Sequence, residues 1–541
     1  MSPPLVRTGA PVTRPLWLAL ALAVVSGPIT DAAHPDQGIW PLVFVGVACV
    51  LVALRGRTFW SGALVGFVAG LSFYLVHISW ASLYLGPVPW VALSTLESLF
   101  VAVGAGTIAV VYRYAGRAWP TALGRLGLVP VVVAGLWTAR EAISAVWPYG
   151  GFSWGRIAFS QSESPFAPLV AWVGVSGLSF LLVWLVALAI ELALWVPLPF
   201  GTFSGDARGE ERYRAPLGGS ARTLVAVGAV ALVLVVPAWP TITEGSMRVA
   251  AVQGNSKAGY FDVRDPGDIL TDNISATLPV VDDDLDVVVW PENGSDLDPL
   301  EVPQAAKALD YVSDAANAPL VVGTVTQRGD EIFNTSMLWR AGEGMLDFYD
   351  KKHPVPFGEY VPDRAFWEPF APELIGLIQR DYTPGTTDPV FDIDGVIAGI
   401  SICFDIVDDQ LIHDMIDNGA DVIFAQTNNA DFGRTDENEQ QLAITRLRAI
   451  ETSRSVVNVS TVAATALLGP DGSTIGELPS FEAGALVGEV PLSTVVTPAM
   501  SLGRGIEWLV SGLGLAGLVL ALTVRPRRPG QRKGPRLSPR P

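Results

Sequence analysis

The stretch Val396-Ile-Ala-Gly-Ile-Ser-Ile-Cys403-Phe404-Asp405 is an apolar, β-branched run that stops at a cysteine and a polar turn. It reads as a β-strand. Similar runs occupy 247–253, 285–290, 320–325, 422–427 and 456–462. Helix-like stretches at 304–316, 408–418 and 437–452 lie between several of them. This alternation predicts an α/β domain, a sheet covered by helices. Leu468-Gly-Pro-Asp-Gly472 marks a turn between two late strands. There is no internal repeat, and the only biased segment is the Arg/Pro-rich end, expected to be disordered.

Outward from this domain the composition changes. The 541 residues predict three or four units. Half are hydrophobic and 16% are charged, against roughly 25% charged in ordinary soluble proteins. That excludes a disordered chain and points away from a fully soluble one. Apolar stretches approaching or exceeding spanning length run over 16–29, 38–54, 59–78, 90–112, 126–146, 165–196, 223–239 and 506–524. The expectation is a polytopic α-helical membrane domain of eight spans, seven before the α/β domain and one after it. The units are then 1–240, 241–503, the last span at 504–525 and a basic tail at 526–541. A signal peptide is the rival reading of the first stretch, although no clean cleavage site follows it.

The charge is divided too. Residues 241–503 carry 43 acidic and 14 basic side chains, whereas the remainder carries 10 acidic and 21 basic. The acidic body argues against nucleic acid as partner. Arg7 and Arg14, Arg55 and Arg57, Arg113, Arg117 and Arg125, Arg208 to Arg222, and the tail from Arg525 with Lys533 all fall on one side. The opposite short loops hold only Arg156. The positive-inside rule therefore predicts both ends in the cytoplasm and 241–503 outside.

Cys403 and Cys49 are the only cysteines, so there is no disulfide framework to read. Cys403, the one outside the membrane stretches, sits at a strand end, where α/β proteins place reactive groups. A cysteine nucleophile needs a base and a partner for the oxyanion it generates. The four histidines, His34, His77, His353 and His413, form no Cys/His pattern. Glu292 closes the strand Asp286-Val-Val-Val-Trp-Pro-Glu292. Lys351 lies in Phe348-Tyr-Asp-Lys-Lys-His-Pro-Val-Pro-Phe-Gly-Glu-Tyr-Val-Pro362, whose three prolines predict a rigid loop. Singly, each reads as a surface charge. Their weight is joint.

Together they resemble the Glu-Lys-Cys pattern of the nitrilase superfamily: a strand ending Trp-Pro-Glu, a Tyr-x-Lys-x-His-x-Val-Pro-Phe-Gly-Glu loop and a strand-end cysteine. With the flanking spans, the chain is similar over nearly its whole length to the apolipoprotein N-acyltransferase family. Trp147-Pro-Tyr-Gly-Gly-Phe-Ser-Trp154 and Ser160-Gln161 resemble that family's loop before the sixth span. The resemblance implies an αββα sandwich and a ping-pong transfer. An acyl group would pass from a phospholipid to Cys403 and then to the N-terminal amine of a diacylglyceryl-modified apolipoprotein. It implies Glu292 as base, Lys351 rather than Lys352 as oxyanion partner together with the Phe404 N–H, and Glu359 as support for the lysine. One departure stands out: well-known members have Cys-Tyr-Glu where this chain has Cys403-Phe404-Asp405. No metal cluster or nucleotide loop is visible, so no cofactor is expected. The rivals are a membrane-tethered amidase using water as acceptor, and a transporter or receptor with an outer binding domain.

Three further features stand outside the triad. Arg140, Glu141 and Glu97 fall inside predicted spans, and His77 near the end of one, where charges pair or face polar cavities. Trp80, Tyr84, Trp90, Trp147 and Tyr149 read as an interfacial belt. The exterior loop 357–379 is unusually apolar, with Phe366, Trp367, Phe370, Leu374 and Ile375, and reads as a cover over the site.

Overall fold

The computed structural model describes residues 14–121, 123–194 and 219–523. Arg7, Arg208, Arg212, Arg214, the tail after 523 and the far ends of two apolar stretches lie outside them. Each of the eight apolar stretches forms a helix. The first seven are α1 (Leu16–Asp31), α2 (Leu42–Leu54), α3 (Phe59–His77), α5 (Pro87–Ala118), α6 (Val129–Ser144), α7 (Val170–Leu194) and α8 (Gly219–Leu234), with a short α4 (Ala81–Leu85) after α3. Among the described residues five helices, including the one near the chain's end and α6 taken together with the helical turn at 124–128 before it, are long and apolar enough to cross a membrane. The other three, α1, α2 and α8, have 16, 13 and 16 residues.

Helix α7 is broken at Gly174, whose φ of +68° belongs to the left-handed region that glycine enters without steric cost. The N–H of Val175, freed by the break, donates to Glu451 Oε1 at 3.1 Å, so a carboxylate from the α/β domain restarts a membrane helix.

The α/β domain opens with β1 (Ser246–Gln253), α9 (Asp268–Thr277), β2 (Val287–Val289), α10 (Pro303–Ala316), β3 (Leu320–Arg328), β4 (Glu331–Arg340) and β5 (Gly344–Asp350). Two short helices, α11 (Arg364–Trp367) and α12 (Pro372–Ile375), sit in the loop that follows. Next come β6 (Val390–Ile393), β7 (Val396–Ile402), α13 (Asp409–Asp417), β8 (Val422–Thr427), α14 (Glu437–Thr452) and β9 (Ser455–Ser460). The domain closes with β10 (Ala466–Leu468), β11 (Thr474–Glu477) and β12 (Gly484–Pro491), and α15 (Pro498–Leu502) leads to α16 (Gly505–Thr523).

Two six-stranded sheets result, ordered β12-β1-β2-β3-β4-β5 and β11-β10-β9-β8-β7-β6. Each has a parallel centre, β1-β2-β3 and β7-β8-β9. Parallel strands are buried on both faces, which is why their sequences read as unbroken apolar runs. Alternation still sorts the side chains: Val249, Ala251, Val287 and Val289 share a core with Ile400, Val457 and Leu467 of the other sheet. Ala250, Val252, Val288 and Trp290 pack instead with Leu270 of α9 and Leu309 and Val312 of α10. The layers run helix, sheet, sheet, helix. One expectation is corrected: residues 348–350 are the last of β5, not loop, because they complete the β4–β5 ladder through Asp350 opposite Thr335.

Candidate active site

All three candidate residues leave strand ends. Cys403 follows β7 directly and begins a short 3₁₀ turn, Cys403–Val407. Its φ of +53° is a sparsely populated conformation for a non-glycine residue, held by the strand before it and the turn after it. Glu292 lies three residues beyond β2 and is 4% exposed. Its backbone presses on Gly323 of β3, where an added Cβ would clash with Pro291 O and meet Glu292 Cα at 2.7 Å. Lys351 follows β5 directly and is 1% exposed.

A single polar cluster joins Lys351 and Glu292. Lys351 Nζ sits 2.8 Å from Glu359 Oε2 and 3.8 Å from Glu292 Oε1. Asn334 Nδ2 donates to Glu292 Oε1 at 2.7 Å and to Glu359 Oε1 at 2.9 Å. The N–H of Asn428 donates to Glu292 Oε2 at 2.8 Å, and that of Val355 to Glu359 Oε2 at 2.7 Å. Asn334 reaches this place because β4 pairs with β5: Thr335 opposes Asp350, and the Lys351 N–H donates to Asn334 O at 2.9 Å. Lys352 turns away, its Nζ 3.5 Å from Asp414 Oδ2 on α13. Among the described residues, no group of three or more His, Cys, Asp or Glu side chains could hold a metal ion.

The electrostatics follow from burial. Burial pushes the Cys403 thiol well above its ordinary value, and Glu292 adds to this while Lys351 opposes it. Burial also raises the Glu292 carboxyl, with Lys351 pulling it back down. For Lys351 burial favours the neutral amine, but Glu359, Cys403 and Glu292 around it prevail and hold it well above the usual range. The resting cluster is thus a neutral thiol beside a carboxylate with raised proton affinity and a fixed cation.

Asp405 is fully buried and accepts from Tyr349 Oη at 3.0 Å and from the Ile402 N–H at 3.3 Å. Burial raises it to about 6, with Lys351 working against that. The short carboxylate therefore still reaches the end of β7. Residues not singled out from sequence complete the shell: Asn334, Asn428 and Tyr349. Asn334 carried a signal, since Asn334-Thr-Ser336 puts three polar residues at buried positions inside β4.

The expected cover is present in part. Ile375 and Trp367 of the loop pack with Val361 and Ile378 against Leu85 and Tyr84 from the membrane domain, while Phe366 and Phe370 are 59% and 72% exposed. The belt expectation needs correction. Trp80 Nε1 donates to Gln440 Oε1 at 3.1 Å, Tyr84 Oη to Gly358 O at 2.9 Å, and Tyr149 Oη to Asp363 Oδ2 at 2.8 Å. Their polar tips are spent on the α/β domain, so these three rings form a seam between domains.

Residues 26–188 match the family described as apolipoprotein N-acyltransferase N-terminal domain, and residues 248–497 match carbon-nitrogen hydrolase. The chain is 31% identical over 539 residues to an apolipoprotein N-acyltransferase of Mycolicibacterium smegmatis, covering 93% of this chain and 85% of the relative. It is 27% identical over 541 residues to one from Pseudomonas aeruginosa strain LESB58, covering 96% and 99%. Among solved structures it is similar to a mutant of the Nesterenkonia AN1 amidase from the nitrilase superfamily. There the identity is 18%, the TM-score 0.36, and the coverage 47% of this chain and 94% of that one.

Proposed function

The chain belongs to the apolipoprotein N-acyltransferase family, and on that premise we propose that Glu292, Lys351 and Cys403 carry its reaction. The enzyme is a membrane-bound N-acyltransferase that takes a fatty acyl group from a membrane phospholipid and delivers it to the N-terminal amine of an apolipoprotein. Glu292 accepts the thiol proton as Cys403 Sγ attacks the ester carbonyl. Lys351 and the Phe404 N–H meet the oxyanion, and one such donor typically supplies about 3 kcal/mol. When the tetrahedral species collapses, the ester C–O bond breaks and the proton returns from Glu292 to the departing lysophospholipid oxygen. The thioester then meets the amine of the acceptor's diacylglyceryl-cysteine. Glu292 takes the amine's proton, an amide forms, and the thiolate leaves and is reprotonated.

The supporting roles are Glu359 and Asn334 holding Lys351 and Glu292 in register, and Asp405 tying Tyr349 to the end of β7. The units are 1–240, 241–503, 504–525 and 526–541, with eight spans. The α/β domain faces the extracytoplasmic side of a bacterial plasma membrane and the tail faces the cytoplasm, a reading supported by the side on which the loop arginines gather. Loop 357–379, with Phe366 and Phe370 outward, lies at the lipid surface as a cover.

The observation that carries the assignment is the convergence of a buried carboxylate, a buried ammonium and a strand-end cysteine, with Lys351 Nζ 3.8 Å from Glu292. The test is mass spectrometry of a lipoprotein N-terminus from cells with and without this protein. An added acyl mass only in its presence is expected, and equal masses would reject the function. Enzyme given phospholipid alone should accumulate a hydroxylamine-labile acyl mass on the Cys403 peptide, because the cycle stalls without an amine. That mass should be absent in Cys403→Ala and present in Cys49→Ala.

A further inference from the structure

The turn that begins at Cys403 is held from the membrane side. The ring of Phe404 lies parallel to two rings of the α6–α7 loop: Phe152, with centroids 5.9 Å apart and planes 9° apart, and Trp154, at 6.2 Å and 6°. The same loop touches the turn again through Ser153 Oγ, which donates to Val407 O at 3.2 Å, and grips the start of α13 just after it through Arg156 Nη1, which donates to Asp409 Oδ2 at 2.7 Å.

The loop is itself anchored. The Phe152 N–H donates to Ser144 O at 2.8 Å at the end of α6. Trp154 is 3% exposed, and its Nε1 donates to Gln440 Oε1 at 2.7 Å, the same oxygen that receives Trp80. Glu141, buried within α6, accepts from Trp137 Nε1 at 2.9 Å and receives the Ile157 N–H at 3.5 Å, with Arg140 paired to it. The membrane-domain charge that looked costly in the sequence thus fixes the far end of this loop.

We propose that Phe152 and Trp154 are positioning residues: by stacking on Phe404 they aim its backbone N–H at the oxyanion formed on acylation of Cys403. This rests on the reading of Cys403 as nucleophile and of the Phe404 amide as oxyanion donor. Three physical points support it. A left-handed φ on a non-glycine residue persists only where its surroundings hold it, and here the stacked rings join the hydrogen bond from Gln441 Nε2 to Cys403 O, 3.3 Å, in holding this peptide. Parallel rings restrict rotation about the Phe404 side-chain axis, which a shapeless apolar contact does not. And a donor acts on a developing charge only when it is fixed there beforehand, since small misplacements cost far more than their length suggests.

Two reactions at the same sulfur separate this role from plain packing. Acylation by phospholipid forms an S–C bond and breaks the ester C–O bond through an oxyanion. Alkylation by iodoacetamide forms an S–C bond and expels iodide, with the thiol proton going to Glu292 and no oxyanion formed. The experiment uses the full chain in phosphatidylethanolamine vesicles and measures both rates at Cys403 by mass spectrometry.

For Phe152→Ala and Trp154→Ala, acylation is expected to slow about 10- to 100-fold while alkylation stays within about two-fold. Trp154→Phe, which keeps the stacked ring and loses the Gln440 hydrogen bond, recovers most of the acylation. Phe404→Leu, which keeps the amide and removes the ring, shows the same split, and adding Trp154→Ala to it slows acylation no further. Acylation and alkylation falling in parallel, or neither falling, would overturn the proposal, and so would additive losses in the double variant. Failure of the underlying reading looks different: the unaltered protein would then form no hydroxylamine-labile mass on Cys403 at all.

Discussion

Tyr349 donates its hydroxyl to Asp405 at 3.0 Å, binding the end of one sheet to the nucleophile turn of the other. Asp405 has a folded value of about 6, above its ordinary 3.8, so its charged form opposes folding. Its contribution is fully present below about pH 3.8 and is lost as pH rises through 6. The tyrosine partly relieves this by favouring the carboxylate. Tyr349→Phe leaves a buried acceptor short of a partner, at about 1–3 kcal/mol, and raises Asp405 further. Thermal unfolding should show a larger deficit at pH 7.5 than at pH 5. An equal deficit at both would mean that the hydroxyl does not act on this carboxylate.

The two adjacent lysines separate cleanly. Lys351→Ala should slow acylation of Cys403 by about 10²–10³-fold, the usual loss for one oxyanion donor. Lys352→Ala should behave nearly as the unaltered protein, since its ammonium faces Asp414. Single-turnover kinetics with phospholipid decide between them, and a reversed order would move the role to Lys352.

Asn334 sets the acid limb of the rate profile. Burial raises the Glu292 carboxyl, and the Asn334 hydrogen bond is among the contacts that lower it again. Glu292 must be ionised to take the thiol proton, so kcat/KM for phospholipid rises with pH through its apparent pKa. Asn334→Ala removes a bond to the charged form and should shift that limb to higher pH. A limb that does not move removes Glu292 from the proton path.

Sidedness can be read chemically. A cysteine in place of exposed Ser473, on the β10–β11 turn, should react with an impermeant thiol reagent in intact spheroplasts. One in place of Ser538, in the tail, should react only after lysis. The opposite pattern would invert the orientation.

Phe366→Ser with Phe370→Ser removes two exposed rings from the loop beside the site. Acyl transfer from vesicles should fall several-fold with the thermal midpoint unchanged, because neither ring is buried. Unaltered vesicle kinetics would deny the loop a place at the lipid surface.

Much of this was legible from local pattern. Residues 422–427 and 437–452 are β8 and α14 with the same limits, because unbroken apolar runs and helical periodicity are written into adjacent residues. Glu292, Lys351 and Cys403 were legible because each closes a strand or starts a loop with its own signature. What stayed hidden depends on long-range register. Only the β4–β5 ladder brings Asn334 beside Lys351, and only packing between domains lays Phe152 on Phe404. The belt reading failed for three of its five residues for the same reason: Trp80, Tyr84 and Tyr149 look like interfacial aromatics until their hydroxyl and indole partners on the α/β domain are known.

The break in α7 at Gly174 bears on whether the α/β unit is portable. Glu451, next to last in α14, answers the Val175 N–H, and it also pairs with Arg448, whose guanidinium holds Ile406 O and Val407 O in the nucleophile turn. Excising 241–503 would strip one ligand from this chain of contacts at its membrane end and leave its enzymatic end intact but slack. A water-soluble miniature of this enzyme would therefore need substitutes for the Val175 amide and for the Phe152–Arg156 loop that grips the nucleophile turn, and not merely a polar coat where the helices had been.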